Sequence, residues 1–251
     1  MQIRLFARGF LIVFLVIFGL KTALATDLDE YQKYGDKNSK WDEHVGAGFS
    51  SFDSGNLGAA EMFLQRALAR GCKDGLVYAK IGLYYEDQGN YKKALSFMRL
   101  AAKRLSEQYP SHQITKSMHK LLGRVLFLNN QSDEAEPYLQ KAVNAEEDFT
   151  SLYLLGQIRR MNGAYPDAVK LFERALVAKR PTDVSPVIDM AIMTELGKVY
   201  YEMKQFDVSL KWWDKILSMD PANQVAPSYK QKIEQMRFKE KERKILEEIV
   251  K

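Results

Sequence analysis

Three histidines, His44, His112 and His119, and one cysteine, Cys72, are the side chains best suited to acid–base, nucleophilic or metal chemistry in this 251-residue chain. A single thiol cannot close an intramolecular disulfide or build a thiolate-rich zinc or iron–sulfur site. Cys72 has no histidine near it in sequence to draw off its proton and is expected to be inert. Acidic residues are plentiful, but none follows a spacing that a cation site requires. The sequence contains no phosphate-cradling Gly-x-x-x-x-Gly-Lys loop, no Gly-x-Gly-x-x-Gly turn, no Gly-x-Ser-x-Gly elbow and no His-Glu-x-x-His helix. The expectation is a chain that is not an enzyme, with no cofactor and no metal.

With catalysis set aside, the remaining chemistry is recognition, which needs a scaffold. A composition that is 46% hydrophobic and 27% charged supports a folded core rather than a disordered chain. The 37 basic and 32 acidic residues leave a formal charge of +5 on a mixed surface, which argues against nucleic acid as the partner.

The segment from Met1 to Ala25 reads as an address. Arg4 and Arg8 precede an apolar run from Phe10 to Leu20, and Ala23-Leu24-Ala25 supplies an Ala-x-Ala cleavage pattern. Eleven apolar residues fall short of the about 20 that cross a bilayer as a helix. Residues 1–25 are therefore expected to be a signal peptide cleaved near Ala25, with an uncleaved leader that anchors the chain in the membrane as the alternative. Cleavage would remove Arg4, Arg8 and Lys21, leaving 34 basic against 32 acidic residues and little bulk attraction for polyanions. An exported chain this poor in cysteine fits a bacterial envelope, either periplasmic or secreted. Thr26 to Lys40 is polar, carries Gly35 and lacks apolar periodicity, so it is expected to be a flexible leader over 26–40.

From Trp41 the sequence repeats. Gly48, Gly82, Gly123 and Gly156 are each followed by alanine 12 and 19 positions later, at Ala60 and Ala67, Ala94 and Ala101, Ala135 and Ala142, and Ala168 and Ala175. A fifth copy begins at Gly197, with Ser209 and Ile216 in place of the alanines. Sixteen residues after each glycine stands a large apolar side chain: Leu64, Met98, Leu139, Phe172 and Trp213. Small residues let two antiparallel helices approach, and the bulky one fills the gap. Each unit is thus a helical hairpin, and hairpins must stack to bury their apolar faces.

On these residues the sequence resembles the tetratricopeptide repeat family, over about 41 to 223. The best copy holds Tyr78, Ile81, Gly82, Tyr85, Ala94, Met98 and Ala101. The expected fold is all-α, an α-solenoid of about five hairpins over 41–223, with repeats near 41–74, 75–108, 116–149, 149–182 and 190–223. The charged segment 224–251 is expected to be a capping helix, with Tyr229, Ile233 and Met236 on one face and Ile245 and Ile249 on another stretch of it. The intervals from Gly82 to Gly123 and from Gly156 to Gly197 are longer than the other two, so insertions fall near Ser106 to Thr115 and Arg180 to Pro186. His44 and His119, four residues before their repeat glycines, take a position that the family uses for packing.

The resemblance also implies a concave groove, lined six and three residues before each glycine and one, four and five after it. The first two repeats then present Asp42, Val45, Phe49, Phe52 and Asp53, and Leu76, Ala79, Leu83, Glu86 and Asp87, an apolar wall with acidic margins. The last three present a more basic wall. There Lys120, Arg124, Phe127, Tyr153, Gln157, Arg160, Lys198 and Tyr201 are the expected peptide-binding residues, the four cations jointly holding carboxylates and Arg124 and Arg160 pointing into solvent. The implied role is a protein-interaction scaffold of the cell envelope that takes an acidic or amphipathic segment of another protein. Membrane contact is expected only through an uncleaved leader or weakly through the last helix. A permanent subunit of an envelope assembly machine, as in pilus, secretion or outer-membrane complexes, is the alternative.

Overall fold

The computed structural model describes residues 26–178 and 185–249. The expected signal peptide and most of the second insertion lie outside the described residues.

Five helical hairpins follow one another in the chain: α2 (Asp42–Asp53) with α3 (Leu57–Ala69), α4 (Gly75–Asp87) with α5 (Tyr91–Gln108), α7 (Met118–Leu128) with α8 (Ser132–Ala145), α9 (Phe149–Met161) with α10 (Tyr165–Val177), and α11 (Ser185–Glu202) with α12 (Phe206–Met219). They are joined by α1 (Asp27–Tyr34), the short α6 (Gln113–Lys116) and the terminal α13 (Val225–Ile249). Among the described residues there is no strand, and the fold class is an all-α solenoid. The chain divides into two compact units, residues 26–146 with α1 to α8 and residues 147–249 with α9 to α13.

One contact recurs in every hairpin. A Cβ placed on Gly48, Gly123, Gly156 or Gly197 would lie 2.4 to 2.7 Å from the side chain of Leu64, Leu139, Phe172 or Trp213, and on Gly82 it would lie 3.1 Å from Met98. The missing side chain of the first helix is the space that the bulky residue of the second helix fills. The repeat alanines, from Ala60 and Ala67 in the first hairpin to Ala168 and Ala175 in the fourth, are all buried, at 8% exposure or less. In the fifth hairpin the alanine is replaced for a reason: Ser209 Oγ donates to the Gly197 carbonyl at 2.7 Å and accepts the Trp213 indole N–H at 3.0 Å. A tryptophan in the core brings a donor with it, and serine satisfies that donor.

Seven residues after each repeat glycine, the backbone turns through the left-handed region. Gly55, Gly89 and Gly163 take this place with φ of 79°, 69° and 73°, Asn130 with 60° and Lys204 with 58°. Helix starts are fixed locally, with Asn56, Asp74, Asn90 and Asp148 each accepting backbone N–H groups as N-caps.

The structure revises two expectations. The segment 26–40 is not a structureless leader: α1 opens with a Thr26/Asp29 capping box, and Tyr31 is buried. Periodicity gives no sign of α1 because a single residue carries its burial. The capping role of α13 is confined to its first half. Ala226 and Ile233 are buried and Tyr229 stacks on Trp213 at 4.7 Å, whereas Met236, Ile245 and Ile249 are 38%, 46% and 73% exposed. The first insertion is ordered, lengthening α5 and adding α6. Tyr109 at its centre is buried, with its hydroxyl on Asp74 Oδ2 at 2.5 Å.

Candidate functional site

In the unit 26–146, α7 places Lys120, Arg124 and Phe127 at successive turns. Lys120 and Phe127 are half-buried, but Arg124 is only 5% exposed. Its Nε and Nη2 donate to Glu86 Oε1 and Oε2 at 2.6 and 2.8 Å, and Glu86 is itself buried on α4. This corrects the expectation of an arginine reaching into solvent: a residue of the acidic wall and one of the basic wall neutralise each other. A carboxylate ligand would have to displace a two-point ion pair to use Arg124.

The same unit holds a second polar cluster, built by α1. Asp27 pairs with Lys80 of α4 and accepts from His112 Nε2 at 3.0 Å. Lys80 is 5% exposed, and its ammonium lies 4.0 Å from the centre of the Phe52 ring. Burial works against the Asp27 charge, but the His112 hydrogen bond and the Lys80 cation outweigh it and bring its pKa down to about 2. One turn on, Tyr31 packs edge-on against Phe49 at 5.8 Å and donates its hydroxyl to Asp42 Oδ1 at 2.7 Å.

In the unit 147–249, α9 carries Tyr153, Gln157 and Arg160 on one face, and α11 carries Lys198 and Tyr201. Arg160 and Lys198 meet at a carboxylate that the groove positions did not include. Glu195, 1% exposed, lies 3.0 Å from Arg160 Nε through Oε2 and 2.6 Å from Lys198 Nζ through Oε1. Gln157 Nε2 donates to the Tyr153 hydroxyl at 3.1 Å, while Gln157 Oε1 is buried without a hydrogen-bond partner among the described residues. Burial, and after it the Glu195 charge, pushes the Tyr153 phenol far above its usual range, so it stays a neutral donor. Tyr201 lies edge-on to Tyr229 of α13 at 5.4 Å and beside Phe206 at 5.9 Å. Lys198 is buried at 8% exposure, whereas the Arg160 side chain keeps 26%. Arg160 and Lys198 both face Glu195, whose charge also reaches Tyr153 and Tyr229.

Glu195 and Lys80 share a sequence signal: each stands two residues before its repeat glycine. Leu121 and Leu154 occupy that position in the third and fourth copies, and Gly46 in the first. A charge where other copies bury leucine marks the two ion clusters.

Of the other reactive side chains, Cys72 lies close enough to the α1 cluster to feel the charges of Asp42 and Asp74. Cys72 is 2% exposed, and burial pushes its thiol up to about 12, a range in which it is not a nucleophile. His44 is half-buried, and His119, though exposed, lies with its ring 6.2 Å from that of Tyr138 on the partner helix α8. Among the described residues no three His, Cys, Asp or Glu side chains converge on a metal-sized site, and no helix is long and apolar enough to cross a membrane.

Family models for the tetratricopeptide repeat match residues 75–148 and 118–184. No curated protein matches the sequence. Among solved structures, the chain is similar to YrrB, described as a TPR protein with an unusual peptide-binding site, with a TM-score of 0.61 at 20% identity over 80% of this chain and 97% of that one. It is similar to MamA (residue 41 to the end) from Desulfovibrio magneticus RS-1, with a TM-score of 0.59 at 17% identity over 74% and 98% of the two chains. It is also similar to PilF of Pseudomonas aeruginosa, with a TM-score of 0.58 at 13% identity over 77% and 82%. At these identities the likeness is one of fold.

Proposed function

We propose that this protein, which tetratricopeptide repeat models match over residues 75–148 and 118–184, is a non-catalytic interaction module that holds an acidic or amphipathic segment of another protein. The observation that carries this reading is the convergence of Arg160 and Lys198 on Glu195 beside Tyr153 and Tyr201. A cluster that brings two cations beside aromatic rings suits a carboxylate-bearing chain that brings apolar area with it. Gln157 Oε1, which lacks a partner among the described residues, supplies an acceptor for a peptide N–H once the side chain turns outward. On α7, Arg124 contributes through Glu86 to the rigidity of the wall rather than to the ligand. The peptide-binding site described for YrrB gives the fold a precedent for such use.

The proposed setting is the cell envelope, reached through the apolar leader with cleavage near Ala25. A permanent place in an envelope assembly complex is the second form of the same reading, favoured by the exposed stripe of Phe238, Ile245 and Ile249 on α13. A photo-crosslinking residue placed at Tyr201 in the native cell tests the proposal. Capture of a protein there, reduced by Arg160→Gln, is expected. Capture that ignores Arg160 would reject the groove cluster as the contact.

A further inference from the structure

α13 changes character halfway along. Its first half packs on the last hairpin through Ala226, Tyr229 and Ile233, and Arg237 ties it to α12 by donating to Asp207 Oδ1 at 2.6 Å. From Glu234 to Ile249 every residue is exposed, a stretch of helix about 24 Å long. Four large apolar side chains stand in it: Phe238, Ile245, Leu246 and Ile249 are 63%, 46%, 61% and 73% exposed. Phe238, Ile245 and Ile249 share one narrow face, roughly 150° around the helix from the face that Ala226, Tyr229 and Ile233 bury. The last hairpin packs on the opposite side and does not cover them.

Phe238, Glu242, Ile245 and Ile249 follow one another at steps of four, three and four residues, the spacing of a seam between two helices. Lys239 and Leu246 flank one edge of this seam, Lys241 and Glu248 the other. Two such helices side by side in antiparallel order set Phe238 against Ile249 of the second copy, and Glu242 against Ile245 of the second copy. Lys241 then meets Glu248 of the second copy in two symmetric pairs, and the Lys239 stem covers Leu246. In parallel order Glu242 would face its own counterpart within the seam, and like charges so placed repel. A lipid surface suits the stripe less well, because Glu242 stands in the middle of it and Glu248 at its edge. A seam about 18 Å long falls short of the about 800 Å² that a stable interface takes from each partner, so the pairing is weak and reversible. We infer that the exposed half of α13 is a self-recognition site that pairs with the same helix of a second copy in antiparallel order. This names a neighbour for the stripe that the assembly reading uses. It shares no residue with the groove cluster, so it stands or fails independently of capture at Tyr201.

Sedimentation of the full chain between about 1 and 300 μM, a range that covers weak specific association, tests this. A monomer–dimer equilibrium is expected, with Ile245→Glu raising the dimer Kd at least tenfold. Lys241→Glu alone and Glu248→Lys alone are each expected to weaken the dimer, and the two together to restore it, because the reversed charges meet again in the antiparallel order. All three positions are exposed, so the variants are expected to keep the native helix content. A chain that stays monomeric throughout the range, or a dimer that ignores Ile245→Glu, overturns the proposal. A double reversal that leaves the dimer as weak as either single one overturns the antiparallel pairing. Flotation of the native chain with vesicles of anionic phospholipid, lost in Ile245→Glu, would give the stripe to a lipid surface and overturn the assignment to a second copy.

Discussion

Arg124 grips Glu86 with two parallel hydrogen bonds, at 2.6 and 2.8 Å, from a different hairpin and with both side chains closed off from water. Removing one partner strands the other as a buried charge. Arg124→Ala is therefore expected to destabilise the protein by about 3 to 5 kcal/mol in urea unfolding, whereas the paired replacement Arg124→Met with Glu86→Leu should be close to neutral. A single substitution that leaves the unfolding midpoint unchanged would show that the pair is dispensable.

The glycine contacts predict graded costs. In Gly156→Ala the new methyl would stand 2.6 Å from the rigid Phe172 ring, and overpacking of this kind typically costs about 1 to 3 kcal/mol. Gly82→Ala meets the flexible Met98 at 3.1 Å and should cost less. The ordering of the two melting temperatures checks this.

Ser209→Ala removes both the acceptor for the Trp213 N–H and a donor to the Gly197 carbonyl. The alanine restores the residue type of the other four repeats, yet leaves a buried indole donor unpaired, so a loss of about 1 to 3 kcal/mol is expected. Adding Trp213→Phe, which has no N–H, should return part of that loss.

Lys204 holds a left-handed backbone at φ 58° where three sister hairpins use glycine. Lys204→Gly is expected to stabilise the fifth hairpin, by about 0.5 to 1 kcal/mol after the extra chain entropy of glycine is counted. A lower melting temperature would contradict this.

Acid should release α1 before it unfolds the rest. Asp27 has its pKa lowered from 3.8 to about 2 in the folded state, so its contribution is present above the unfolded value and is lost as pH falls through the folded one. Hydrogen-exchange protection of Asp27 to Tyr34 is expected to fall between about pH 4 and pH 2, and Asp27→Asn should abolish that dependence.

The parts of this fold that repeat are legible in the sequence. Gly48 and Leu64, Gly156 and Phe172, and Gly197 and Trp213 each sit on the two helices of one hairpin, so local spacing determines their contact. The same spacing puts Arg124 and Lys198 on the correct helices, but their state is not legible, because Glu86 lies in a different hairpin and Glu195 is not one of the groove positions. α1 escapes a reading of the sequence for a related reason. Its helix depends on Lys80, His112 and Phe49, all distant along the chain, and none of them leaves a periodic trace in residues 26–40.

The central claim, that the tyrosine-walled cluster around Glu195 holds a partner, is tested most directly by titrating the segment captured at Tyr201 against three purified chains: native, Arg160→Gln, and Met62→Glu on the exposed side of α3. The account predicts at least a tenfold loss of affinity for Arg160→Gln, about 1.4 kcal/mol, and less than a twofold change for Met62→Glu. Equal affinities for all three folded chains would contradict it.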